Sequence, residues 1–134
     1  MHRTRPCTFI ALPLACAALA AAIPATVVAQ QHTVNRVVVA ARPASFAGRC
    51  PAHLHFVGTI YVTRYPVWLE YEWERSDGGR GPRQRVEVRS RSLTVGDSWE
   101  LGGGRERLRV WERLHVLAPT GISSPAANVS VNCR

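Results

Sequence analysis

Lysine is absent from the 134-residue chain, aspartate occurs only twice, and no cysteines stand at the spacing of a metal site. Without Cys-x-x-Cys or Cys-x-His spacing, the sequence offers no cysteine zinc site. Residues 121–125 come nearest to a serine-hydrolase elbow, but they have proline where the motif requires its second glycine. The two aspartates, Asp77 and Asp97, leave few orienting acids for a catalytic triad. We therefore expect no enzyme, no metal and no cofactor.

The chain is also too short for a nucleotide-binding enzyme with a separate substrate domain, and it fits one domain. Its long apolar stretch, residues 9–28, follows a basic start and ends in a small-residue site at Ala29. This arrangement predicts a signal peptide over residues 1–29, and two interrupting prolines favour cleavage over a transmembrane anchor. The mature domain, residues 30–134, is then expected to be secreted or periplasmic, without a transmembrane span.

Cleavage after Ala29 leaves two of the four cysteines, Cys50 and Cys133. In an oxidising compartment an even number of cysteines favours pairing, so we predict one disulfide between them; the alternative is two reduced thiols. The bond would close a loop of about 84 residues and stabilise the fold by about 4–5 kcal/mol. Cleavage also leaves fifteen arginines against nine acidic residues, a net charge of +6.

Short runs of alternating apolar and polar residues recur along the mature chain, and glycine, proline, serine and aspartate cluster between them. No run keeps helical spacing over three turns, which favours an all-β fold. The predicted strands are residues 33–41, 54–63, 67–75, 83–91, 93–101, 107–117 and 128–133. About seven strands at this spacing predict a two-sheet antiparallel sandwich.

The run over residues 67–75 alternates most clearly. One face carries Val67, Leu69, Tyr71 and Trp73, and the other carries Trp68, Glu70, Glu72 and Glu74. We therefore expect Trp73 in the core, followed by a tight turn over residues 76–79. Two positions disturb the pattern elsewhere: Glu112 predicts a bulge near Trp111, and Gly58 predicts either a bulge or a close approach.

Four motifs carry a resemblance. They are Cys50-Pro51, Tyr71-x-Trp73-x-Arg75-Ser76-Asp77-Gly78, Gly81-Pro82 and the terminal Asn132-Cys133. Over residues 34–134 the chain resembles the single Ig-like domains of uncharacterised secreted bacterial proteins. The resemblance implies an Ig-like sandwich with Trp73 as the core tryptophan of strand C, and it implies no activity. It differs from antibody domains because Cys50 precedes strand B and Cys133 ends strand G.

In such a sandwich the fourth, third and sixth runs are neighbouring strands C′, C and F, and their outward positions are strongly charged. Two arginine stripes would flank the glutamate stripe, so cross-strand ion pairs account for part of the charge. The excess arginine lies beside outward tryptophans, the composition of binding hot spots. We predict a non-enzymatic module that binds a protein or glycan through this C′CF face, at Trp68, Arg109, Trp111 and Arg113.

Other interpretations remain open. The basic face would also suit nonspecific binding of a polyanion, either acidic polysaccharide or nucleic acid, although no dedicated nucleic-acid motif is present; a purely structural envelope protein is the third alternative. His53 and His55 share a strand face, but a metal needs further ligands, and strand F would put His115 in the opposite sheet. The glutamate stripe would suit glycoside hydrolysis only inside an apolar enclosure, which no sequence feature indicates.

We expect Cys50 and Cys133 to be bonded in the processed protein, because both remain after cleavage and the compartment is oxidising. An alkylating reagent should then add to neither thiol without reductant and to both after reduction, as measured by intact mass. Two adducts on the unreduced protein would contradict the pairing.

Overall fold

The computed structural model describes residues 33–134, so the predicted signal peptide over residues 1–29 lies outside the described residues. The described chain forms nine β-strands. They are β1 (Val34–Arg42), β2 (Ser45–Gly48), β3 (Ala52–Val62), β4 (Val67–Arg75), β5 (Gln84–Val88), β6 (Ser92–Leu101), β7 (Arg107–Ala118), β8 (Ile122–Ser123) and β9 (Ala127–Cys133). Each predicted run overlaps one of the longer strands, which confirms the all-β prediction, whereas β2 and β8 were missed. Residues 33–134 contain no helix long and apolar enough to cross a membrane.

The strands form two sheets that pack face to face as a β-sandwich. One has three strands in the order β1-β3-β6; the other has six, in the order β2-β9-β7-β4-β5, with β8 paired to β7. All pairs are antiparallel except β2 with β9, which is parallel, so the expected purely antiparallel pairing is wrong at this edge. The reason is that only Pro43 and Ala44 separate β1 from β2, and the chain crosses to the other sheet instead of folding back onto β1.

The core lies between the sheets and is built from their inward apolar residues. Phe56 and Ile60 of β3 are fully buried, and Trp73 of β4 is 4% exposed, as its alternation predicted. Gly58 lets the sheets approach, because a Cβ there would lie 2.6 Å from Leu114 Cδ2 and 3.1 Å from Trp73 Cη2. Pairing continues through Gly58 on both sides, so the glycine marks a close approach and no bulge.

A disulfide joins Cys50 to Cys133, with their Cα atoms 5.4 Å apart, and confirms the predicted pairing. Cys50 lies just before β3, and Cys133 ends β9. The bond therefore ties the central strand of the small sheet to the last strand of the large sheet. Because it spans 83 positions, it greatly restricts the unfolded chain.

Trp73→Ala should lower the free energy of unfolding by about 3–5 kcal/mol, because it leaves a large cavity opposite Gly58. Trp68→Ala is the matched control, since Trp68 is 54% exposed on the same strand and its loss should cost under about 1 kcal/mol. Urea unfolding of both variants measures the difference. Equal destabilisation by the two substitutions would contradict the assignment of faces on β4.

Candidate functional site

The large sheet turns one face away from the sandwich, and we call this surface the outer face. Paired residues on neighbouring strands point to the same side, so the register identifies its members. They are Ser45 and Ala47 on β2; Trp68, Glu70, Glu72 and Glu74 on β4; Arg85 and Glu87 on β5; Arg107, Arg109, Trp111, Arg113 and His115 on β7; and Asn128, Ser130 and Asn132 on β9. The four residues predicted to bind a ligand all lie on this face.

The acidic centre of the outer face is paired within the protein. Arg80 bonds Glu72 and also lies 3.6 Å from Glu74. His115 places its Nε2 2.5 Å from Glu74 Oε2 and its Nδ1 2.5 Å from Ser123 Oγ. The hydrogen bond with His115, helped by the charges of His115, Arg80 and Arg113, holds the pKa of Glu74 below its ordinary value despite the opposing effect of burial. Arg80 and His115 therefore form the ion pairs of these acids, and Arg113 of the predicted arginine stripes acts on Glu74 through its charge.

Arg80 reaches the acids because of the turn that precedes it. Asp77 Oδ1 accepts a hydrogen bond of 2.8 Å from Gly79 N, and Gly78 adopts a φ of 87°. This is the turn that the Ser-Asp-Gly-Gly sequence predicted. The role of Arg80 was missed because the residue lies between strands, where alternation assigns no face. It pairs with Glu74 in an isolated bridge beside β4.

A row of basic and aromatic side chains follows the outer face of β7. Arg107 and Arg109 are exposed, and the Arg113 guanidinium lies over the Trp111 ring at 4.9 Å. Among residues 33–134 no acidic side chain forms an ion pair with Arg107, Arg109 or Arg113. We call Arg107, Arg109, Trp111 and Arg113 the β7 row.

The structure separates Trp68 from the other three predicted binding residues. The backbone of Trp111 bonds Ser76, just beyond the end of β4, through its oxygen at 3.0 Å and its nitrogen at 3.1 Å. Trp68 lies eight residues back along β4, which places it about 25 Å away at about 3.3 Å per residue. There it lies beside Arg85, at 5.0 Å. Alternation assigned both tryptophans to the correct face but not to a position along it.

An open groove of about 630 Å³ runs beside the β7 row. Its outer-face lining is Ser45, Ala47, Arg107, Arg109, Ser130 and Asn132. The short side chains of β2 and β9 leave this space, and the longer arginines of β7 bound it on one side. The groove was not predictable from the sequence because β2 is too short to be recognised as a strand, although Asn128, Ser130 and Asn132 alternate along β9.

Glu112 controls which way the β7 row points. Its side chain is fully buried, yet pairing between β7 and β9 continues without a shift from Arg107 to Glu112. The predicted bulge near Trp111 is therefore wrong, and the irregularity of this sheet lies instead between Glu70 and Tyr71. The strand keeps its alternation because the buried carboxylate has a partner.

That partner is Arg75, which also links the two sheets. Arg75 Nε lies 3.0 Å from Glu112 Oε1, and its Nη2 lies 2.8 Å from Asp97 Oδ2 on β6. The same guanidinium lies over the Trp99 ring at 5.3 Å. The Oε2 atom of Glu112 receives no hydrogen bond from the described residues. Burial, reinforced by the negative charge of Asp97, raises the pKa of Glu112 to about 7 despite the opposing charge of Arg75.

Other chemistry-bearing groups are dispersed or already paired. His53 and His55 are exposed on β3, where His53 lies 3.5 Å from Glu100 and His55 bonds Ser98 at 3.0 Å. His115 belongs to the other sheet. Within residues 33–134 no three histidine, cysteine or acidic side chains converge as a metal site. A second cavity of about 490 Å³ includes Arg75 and Asp97, but these two bond each other.

Comparison with known proteins finds no protein-family model that matches the chain and no curated protein that matches it significantly. The functional assignment therefore depends on the geometry of the outer face.

The Glu112 carboxyl should make stability depend on pH between about 4.5 and 7. Its pKa is raised from 4.5 to about 7 on folding, so the stabilisation is complete below pH 4.5 and is lost as pH rises through 7. This contribution amounts to about 3 kcal/mol. Glu112→Gln removes the titration and should flatten the dependence over this range, measured by urea unfolding at pH 4.5, 6 and 8.

Glu106→Gln is the control, because Glu106 is an exposed glutamate and its variant should keep the pH dependence of the original protein. If Glu112→Gln retained the same fall in stability with pH, another group would be responsible.

Proposed function

We propose that the protein is a secreted, non-enzymatic Ig-like binding module that holds a glycan on its outer face; a protein ligand is the alternative. The β7 row carries this proposal. Arg107 and Arg109 are exposed and have no acidic ion-pair partner among residues 33–134, whereas Glu72 and Glu74 are paired and Arg113 is half-buried over Trp111. Cations that do not neutralise the fold remain free to contact a ligand.

Strand order supports the Ig-like assignment. In the lettering of that fold, β1-β3-β6 corresponds to A-B-E, and β9-β7-β4-β5 corresponds to G-F-C-C′. The buried Trp73 on β4 occupies the position of the strand C tryptophan. The Cys50–Cys133 disulfide supports secretion or export to the periplasm, because disulfides persist in oxidising compartments.

The chemistry of the β7 row supports a glycan ligand. Trp111 contributes a half-buried ring with the Arg113 guanidinium over it. Serine and asparagine of β9 lie opposite β7 with hydroxyl and amide groups that bond sugar hydroxyls. Arginine and tryptophan are also the residues most enriched in binding hot spots. Trp68 with Arg85 forms a second contact about 25 Å away, within reach of an extended ligand only.

Nonspecific polyanion binding is the second candidate, and the same unpaired arginines favour it. Such binding depends on net charge and weakens steeply between about 50 and 200 mM salt, for nucleic acid as well as for polysaccharide. A glycan held by hydrogen bonds, stacking and one or two arginine contacts should lose much less affinity over this range, because the salt dependence grows with the number of ionic contacts. Affinity measured at both salt concentrations separates the two functions.

A glycan array tests the proposed function. Trp111→Ala combined with Arg113→Ala should weaken binding at least tenfold while the melting temperature changes by only a few degrees, because the row is not part of the core. Arg36→Ala combined with Tyr61→Ala is the matched control, since it removes a stacked cation–aromatic pair, 4.2 Å apart, from the small sheet. Unchanged binding by the Trp111 and Arg113 double variant, or binding of no glycan, would contradict the proposal.

A further inference from the structure

Along the groove beside the β7 row, two successive sets of paired residues across β2, β9 and β7 have the same arrangement. We call each set a level. Each level consists of a short residue on β2, a polar residue on β9 and an arginine on β7. The two levels are Ser45, Ser130 and Arg109, followed by Ala47, Asn132 and Arg107. They are two residues apart along the strands, or about 6.8 Å. A repeated arrangement along one line suits a linear polymer better than a compact ligand.

The dimensions of the groove also suit a single polymer chain. The groove spans β2, β9 and β7, and β2 and β7 lie about 10 Å apart on either side of β9 at the usual strand spacing; the arginines of β7 form its one wall. The floor carries Ser130 and Asn132, whose side chains are short. The volume of about 630 Å³ lies within the range of ligand-binding clefts.

The charge of the groove selects an acidic ligand. Arg107 and Arg109 are both exposed, and neither forms an ion pair with an acid in the described part of the chain. A guanidinium binds a carboxylate or sulfate through two parallel hydrogen bonds. Trp111, two residues beyond Arg109, continues the same side of β7, where its ring is half-buried beneath the Arg113 guanidinium.

We propose that the groove binds a linear acidic glycan along β9, with sugar oxyanions held by Arg107 and Arg109. The oxyanion is a uronate carboxylate or a sulfate ester, which share the same hydrogen-bonding geometry. This inference rests on the proposed glycan-binding function and adds the class of ligand and the direction in which it lies. Ser130 and Asn132 bond the hydroxyl groups of the chain that crosses them.

The first experiment compares ligands that differ only in charge. Calorimetric titration uses oligogalacturonate against its methyl ester, and sulfated dextran oligosaccharide against neutral dextran. We expect at least one acidic probe to bind tenfold or more tightly than its neutral counterpart, and the two pairs distinguish carboxylate from sulfate. Equal binding of acidic and neutral probes, abolished by Trp111→Ala, would overturn this inference and leave the glycan-binding function intact. Binding of no probe would overturn both.

The second experiment compares variants of equal charge. Arg107→Gln with Arg109→Gln should reduce affinity for the acidic probe at least tenfold. Arg42→Gln with Arg91→Gln removes the same charge from exposed positions outside the large sheet and should change affinity less than threefold. Equal losses in the two double variants would overturn the proposal, because net charge alone would then explain binding.

Ser130→Leu tests the shape of the groove without changing its charge. The substitution fills the floor of the groove at an exposed position and leaves both arginines in place. It should therefore reduce the affinity for the acidic probe at least fivefold without lowering the melting temperature appreciably. Unchanged affinity would show that the ligand binds outside the groove. Binding of a single-stranded oligonucleotide of matched charge as tightly as the acidic glycan would also overturn the proposal, in favour of nonspecific polyanion binding.

Discussion

The burial of Glu112 beside Arg75 is the constraint on which the arrangement of the outer face depends. Side chains alternate with a period of two, so a slip of one residue at Glu112 would turn the neighbouring side chains of β7 to the opposite face. A buried carboxylate without a partner costs several kcal/mol, and a bulge at Glu112 would relieve that cost. Arg75 supplies the partner at 3.0 Å, and Trp111 and Arg113 therefore stay on the outer face.

The same arginine aligns the two sheets. Its second carboxylate partner, Asp97, belongs to the small sheet, so the three charged groups fit together only when β4, β6 and β7 are correctly aligned. Buried ion pairs add little net stability compared with apolar packing, because desolvation offsets their attraction. The main effect of the cluster is therefore on alignment. The raised pKa of Glu112 is consistent with this, since Arg75 does not fully offset the burial of the carboxyl group.

Features encoded within one strand or turn were predictable, and features that join distant residues were not. The burial of Trp73, the outward direction of Trp111 and the turn at Asp77 each follow from a short stretch of sequence. Arg75 and Glu112 are 37 positions apart, so the sequence does not reveal their pairing. In the sequence Glu112 is only a charged residue at a position where the alternation requires an apolar one. Likewise β2 has four residues and little alternation of its own, and it forms a strand because β9 pairs with it.

Charge pairing explains why the proposed ligand site lies on β7 and not on β4, although both strands carry charged outer residues. The turn after β4 places Arg80 beside Glu72 and Glu74, and His115 also bonds Glu74. These acids would otherwise be the nearest partners for the arginines of β7, whose register with β4 pairs Glu74 with Arg113. Because Arg80 and His115 form the ion pairs of these acids, Arg107 and Arg109 of β7 remain exposed to solvent, whereas Arg113 is half-buried. Arg107 and Arg109 then border a groove whose floor carries the short side chains of Ser130 and Asn132, and this combination favours a ligand that brings its own negative charge.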